Sequence, residues 1–156
     1  MSRRTDTDFF QLLTDSYLRI VGKPLVPPDV PAYAAMEWIY HHAPFGLLAH
    51  DTSEDPRFVY GNRQAQLIFG YNWEELIALP SRLSAAAPER IEREKFLRQV
   101  EKDGYVSDYR GERITKEGRR FWISDVTVWQ LVDEDHVLHG QAALIPYIGS
   151  AQLQRT

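Results

Sequence analysis

The sequence predicts an α+β fold: one five-stranded antiparallel sheet with helices on one face, preceded by an N-terminal helical extension. Three observations predict it. Two strand-like runs, FGLLAH and RFVYG, flank the turn-rich DTSEDP and read as a hairpin. Short helical segments and one longer charged helix follow. Three further β runs, joined by tight turns, then close the pattern. The chain has 156 residues, and at roughly 100 to 200 residues per domain that is one compact unit. With 44% apolar and 26% charged residues it can bury a core, which excludes intrinsic disorder.

Taken in order, Thr7 to Gly22 sets Phe9, Leu13, Tyr17 and Ile20 on one helical stripe, widened by Phe10, Leu18 and Val21. Gly22 before Lys23 and Pro24 stops that helix. After LVPPDVP a second short helix is expected from Pro31 to His42, with Asp29 near its cap and Met36, Ile39 and Tyr40 inward. Residues 1–43 thus form an extension that packs on the domain or on a dimer partner, 44–149 the sheet domain, and 150–156 a tail. Asn62 opens a helix through Phe69, its side-chain oxygen suited to the free N–H groups beyond it. Asn72 and Glu75 have capping-box spacing, and Pro80 ends the helix they start.

The run Glu89 to Lys102 is a charged helix carrying Ile91, Phe96, Leu97 and Val100. Its basic residues Arg90, Arg93, Lys95, Arg98 and Lys102 alternate with glutamates, the pattern of a solvated face. Gly104 ends it. The meander SDYRGERI, RRFWISDVTVWQLV and VLHGQAALIPYI follows, with Gly118 in its first turn. In the long middle strand Phe121, Ile123, Trp129 and Leu131 share one parity, and Trp122, Val126, Val128 and Val132 the other. Either a bulge switches the register or both faces are covered.

Composition also narrows function. The net charge is −4, without the basic excess that a phosphate backbone calls for, so nucleic acid is not an expected partner. No Cys is present, which excludes disulfides, thiolate metal sites and a cysteinyl flavin adduct. The apolar runs are too short to cross a bilayer, and the N-terminus lacks the apolar core of a signal peptide, so no membrane is expected and a cytoplasmic location is. His41, His42, His50, His136 and His139 have no metal-binding spacing. There is no nucleophile elbow or phosphate loop. The chain is expected not to be an enzyme; the one enzymatic alternative is a small acid-base catalyst with Asp125 or His139 as a buried base. No signal assigns a cofactor.

The stretch from Phe58 to Leu76, FVYGNRQAQLIFGYNWEEL, resembles the opening of a PAS domain through Asn62, Gly70, Tyr71, Glu74, Glu75 and Leu76. Later residues narrow the resemblance to the MEKHLA family: Leu79-Pro80-Ser81-Arg82-Leu83-Ser84, Arg90, Arg93, Gly104-Tyr105, Asp108-Tyr109, Gly111, Arg113-Ile114, Gly118 to Phe121, Val128-Trp129 and Gly140 to Ala143. It covers about residues 10 to 148. It implies a PAS-like sensory fold; the family includes small stand-alone bacterial proteins and tails of plant homeodomain-leucine zipper transcription factors, where the module is thought to control dimerisation.

In a PAS-like arrangement Tyr60, Asn62, Phe69, Trp73, Phe96, Tyr109, Arg113, Phe121, Trp129 and Gln141 face one cavity. Such a pocket suits a planar or carboxylate ligand, with Arg113 as the bidentate partner of the latter. The alternative is that these side chains fill the core and Arg113 is salt-bridged at the surface. Two functions stand beside each other: a small-molecule sensor that signals through dimerisation or a separate output protein, and a ligand-free dimerisation or protein-interaction module. The expected dimer contact is the helix stripe Phe9, Phe10, Leu13, Tyr17, Ile20 and Val21, laid on a partner's sheet at Val126 and Val128.

Overall fold

A computed structural model describes residues 5–146. The tail expected at 150–156 and the last two residues expected in the final strand, 147–148, lie outside the described residues. Helix α1 (Thr7–Val21) is followed by a single 3-10 turn, α2 (Ala35–His41), the strands β1 (Gly46–His50) and β2 (Phe58–Gly61), and the short helices α3 (Arg63–Phe69) and α4 (Trp73–Leu76). A second 3-10 turn (Ser81–Ser84) leads into α5 (Ala87–Asp103), and β3 (Tyr105–Ile114), β4 (Arg120–Val132) and β5 (Leu138–Ile145) complete the fold. All pairings are antiparallel and the strand order is β2-β1-β5-β4-β3, the five-stranded sheet that the pattern predicts.

Local chemistry sets most element ends. Asp6 caps α1 by accepting from the N–H groups of Asp8 and Phe9, and Gly22 closes it at φ 90°, in the left-handed region that glycine tolerates. Asn72 and Glu75 form a complete capping box on α4. The segment expected as one helix from Pro31 is split: a 3-10 turn over Ala32–Ala34 starts without a side-chain cap, Asp29 included, and α2 begins only at Ala35.

The sheet is covered on both faces. Its inner face packs under α3, α4 and α5, with Phe58, Phe69, Phe121 and Ile123 in one cluster. Its outer face carries α1 of the same chain, and Phe9, Leu13 and Tyr17 join Trp129 and Leu131 in a second. Both alternatives for β4 therefore hold. Asp125 sits at φ 56° where the β3–β4 register shifts, so Phe121 and Ile123 before it share the inner cluster with Val126 and Val128 after it. An opposite shift lies at Asp108, φ 59°, on β3.

This arrangement corrects the placement of the expected contact residues. Val126 and Val128 belong to the inner cluster instead of an outer face open to a second chain. The stripe of α1 lies on its own sheet: Phe9, Leu13 and Tyr17 are buried there, whereas Phe10, Ile20 and Val21 are half-buried at its margin.

Candidate functional site

Between α5 and the inner face of the sheet lies a cavity of about 50 Å³. Its walls are mostly apolar: Leu48, Phe58, Phe69, Ile123, Val126, Val128 and Ile145. Set into them are His50, Ser84, Arg93, Tyr109, Arg113 and Gln141.

Arg93 is delivered by α5. It lies three, four and seven residues before Phe96, Leu97 and Val100, on the one stripe of the helix that faces the sheet. The expectation of a solvated face fails for this residue, which is only 8% exposed. Its Nη2 donates to Ser81 Oγ at 2.9 Å, and burial together with the nearby Arg113 charge pulls its pKa down to about 10.

Arg113 comes from β3 and is equally buried. Its Nη1 donates to the Glu112 carbonyl at 2.9 Å and its Nη2 to the Tyr109 hydroxyl at 3.2 Å. The Tyr109 ring stacks on Phe96 with centroids 3.7 Å apart, locking β3 to α5. Gly111 makes room for this pair: a Cβ there would stand 2.4 Å from the Tyr109 hydroxyl and 3.0 Å from Arg113 Nη1. Among the described residues no carboxylate forms an ion pair with either guanidinium, so the expected surface salt bridge of Arg113 is absent.

His50 ends β1 with its Nδ1 3.1 Å from the Asp51 carbonyl oxygen, a contact that favours the Nδ1–H tautomer. Its Nε2 is buried without a hydrogen-bond partner. Burial and then the Arg93 charge push its pKa down to about 4, only partly opposed by Asp51 and the neighbouring Gln141 amide. Gln141 itself donates to Gln130 Oε1 at 2.7 Å across β4 and β5.

Of the expected pocket residues, the structure brings Phe69, Phe96, Tyr109, Arg113 and Gln141 together at the cavity. Phe121 packs edge-on against Phe69, with centroids 5.3 Å apart, without lining the space. Tyr60 and Trp73 belong to the other cluster, where both meet Tyr40. Trp129 also faces outward and donates to Ser16 Oγ at 2.9 Å. Asn62 is fully occupied: its Oδ1 accepts from the N–H groups of Leu47 and Ala65, and its Nδ2 donates to the carbonyls of Ile39 and Phe45. Five expected lining residues thus have structural posts, Asn62 as the cap that the sequence assigns it. His50, Ser84 and Arg93 were missed. Helical spacing carried the signal for Arg93, and strand parity with Leu48 carried it for His50.

The two residues considered for acid-base chemistry are not buried bases. Asp125 is exposed at the bulge, and His139 is exposed beside Asp133 at 2.8 Å.

The chain resembles solved sensory domains in fold. A PAS domain from Colwellia psychrerythraea is 16% identical, with a TM-score of 0.62, and the match covers 76% of this chain and 98% of that one. An RNA-binding light-oxygen-voltage receptor is 16% identical with a TM-score of 0.64, over 79% of this chain and 36% of the receptor. A blue-light activated histidine kinase of Erythrobacter litoralis is 18% identical with a TM-score of 0.58, over 71% of this chain and 35% of the kinase. No curated protein sequence matches significantly. The model of the MEKHLA domain matches residues 7–148, nearly the whole chain, and the protein therefore belongs to the MEKHLA domain family, with a PAS-like fold.

Proposed function

We propose that this PAS-like domain is a sensory module that holds a small molecule in the cavity between α5 and the sheet. The observation that carries the reading is the polar set inside an otherwise apolar space: two buried arginines without carboxylate partners among the described residues, and a buried His50 Nε2 that lies near the Gln141 amide but makes no well-formed hydrogen bond. Protein interiors pair such groups, and leaving them unpaired costs free energy that a bound ligand returns. A packed core alone needs none of them. The arginines donate to the Ser81 and Tyr109 hydroxyls and to the Glu112 carbonyl, and as fixed cations they suit binding and not proton transfer. We therefore read the module as non-catalytic, acting on a partner or output protein.

The flavin chemistry of light-oxygen-voltage domains does not fit here. The chain has no Cys to form the adduct, and a cavity of about 50 Å³ is far too small for a tricyclic ring.

Native mass spectrometry of protein taken from cells, compared with its denatured extract, tests the proposal. The expected result is a mass excess that disappears on denaturation. A rival reading, a module that pairs with another chain and holds nothing, is favoured by the exposed Leu67 on α3 and Ile91 on α5. Its signature is a dimer by light scattering, no co-purifying molecule, and no melting shift with any small molecule; that result would sink the sensory reading.

A further inference from the structure

We infer that the ligand of this cavity is a compact carboxylate with a short apolar tail, its charge held jointly by Arg93 and Arg113. This rests on the sensory reading above and adds the chemical class.

The charge comes first. Two guanidiniums on different elements, each 8% exposed, share one cavity with no acidic side chain paired to either among the described residues. They repel one another, and the desolvation of each is unrepaid by an ion pair. Each is held in place by one or two hydrogen bonds, Arg93 by Ser81 and Arg113 by the Glu112 carbonyl and the Tyr109 hydroxyl at the cavity wall. Both forks keep unused N–H donors, since a guanidinium has five. A carboxylate placed between them neutralises the repulsion and takes two-pronged hydrogen bonds, the geometry for which arginine is suited.

Size and polarity come second. A buried water needs about 10 to 15 Å³ of such space, so 50 Å³ accommodates roughly three to five water-sized groups. That is the size of acetate or propionate and is far below that of a nucleotide or an aromatic acid. The remaining wall is apolar, with Phe58, Ile123 and Ile145 among its residues, so a short hydrocarbon tail is matched and a second charge is not. An inorganic oxyanion satisfies the arginines and leaves the apolar wall unmatched.

The test uses the full chain and sodium propionate, followed by melting temperature and by titration calorimetry. Sodium chloride and sodium sulfate at equal ionic strength, and propionamide as the neutral isostere, serve as controls. The expected result is a saturable upward shift with propionate alone. Arg93→Met and Arg113→Met should each weaken propionate binding roughly 10- to 100-fold, the loss of a charge-assisted hydrogen-bond pair. Arg93→Lys and Arg113→Lys, which keep the charge and lose the fork, serve if a methionine variant does not fold; they too are expected to weaken binding at least tenfold.

No propionate or acetate binding at tens of millimolar overturns the inference, as does binding that survives both arginine substitutions or a preference for sulfate. If propionamide binds and propionate does not, or the molecule released from cellular protein is neutral, the carboxylate class falls while the sensory reading stands. If nothing binds and nothing co-purifies, both fall.

Discussion

The two faces of the sheet are built on opposite rules. On the outer face α1 lies against β4 with Leu13 at 1% exposure and Trp129 and Leu131 at 0%. The buried polar pair there is complete: Trp129 donates to Ser16, and Ser16 passes its own hydrogen to the Leu12 carbonyl at 2.6 Å. On the inner face α5 covers a space that is not filled, where His50 Nε2 has no hydrogen-bond partner and two guanidiniums meet no carboxylate among the described residues. A surface closed for stability is satisfied and dense, whereas a surface kept for a ligand holds open volume and unpaid desolvation. The difference teaches where to look for function: on the side of the sheet that its own chain leaves incomplete.

Breaking the joint between the faces is expected to do most damage. Asn62 ties the end of α2 to β1 and α3 through four hydrogen bonds at full burial. At about 1 to 3 kcal/mol for each buried group left unsatisfied, Asn62→Ala should cost roughly 4 kcal/mol or more, measured by urea unfolding. Leu13→Ala, on the dense face, should cost about 2 to 5 kcal/mol because the fully packed site cannot collapse around the void. Ser16→Ala leaves Trp129 Nε1 without an acceptor and should cost about 1 to 3 kcal/mol in the same assay.

The inner face should respond to pH instead. His50 ordinarily titrates at 6.5 and in the fold at about 4. Below 6.5 the unfolded chain gains a proton that the folded chain refuses, so stability falls as pH drops from about 6.5 to 4. The slope approaches about 1.4 kcal/mol per pH unit at most. His50→Gln should remove that segment of the stability–pH curve and leave the steeper acid limb below about pH 4, where depressed carboxylates such as Asp51 and Asp133 protonate. An unchanged curve would mean that the ring is not isolated from solvent.

Smallest of all should be the effect of Arg93→Met on the empty protein. Removing one of two repelling buried cations is expected to leave unfolding free energy within about 1 kcal/mol of wild type, or above it. A loss as large as that of Leu13→Ala would place Arg93 with the structural residues and erase the contrast between the faces.

Much of this architecture is present in local sequence. The stripe of α1, the stop at Gly22, the caps at Asn62 and Asn72, the β1–β2 hairpin and the β3–β5 meander all follow from periodicity, turn signals and side chains that satisfy nearby backbone groups, whereas the pairing of β1 with β5 does not. The two apolar parities of β4 were visible as well, as a choice between a bulge and burial on both faces. The site was half visible: Phe96, Tyr109, Arg113 and Gln141 were legible as strand and helix residues facing one space. Trp129 and Tyr60 were assigned to the wrong face because aromatic side chains suit either cluster.

What the sequence determined by itself was which segments are helix or strand, since hydrogen bonding and capping act over a few residues. Only the tertiary structure decided which face each strand residue meets, because one bulged residue at Asp125 inverts every side chain beyond it. It likewise decided that α1 closes the outer face of its own sheet and that α5 turns Arg93 inward toward Arg113. Those outcomes depend on the packing of segments far apart in the chain, and volume and charge within a cavity exist only once its walls have met.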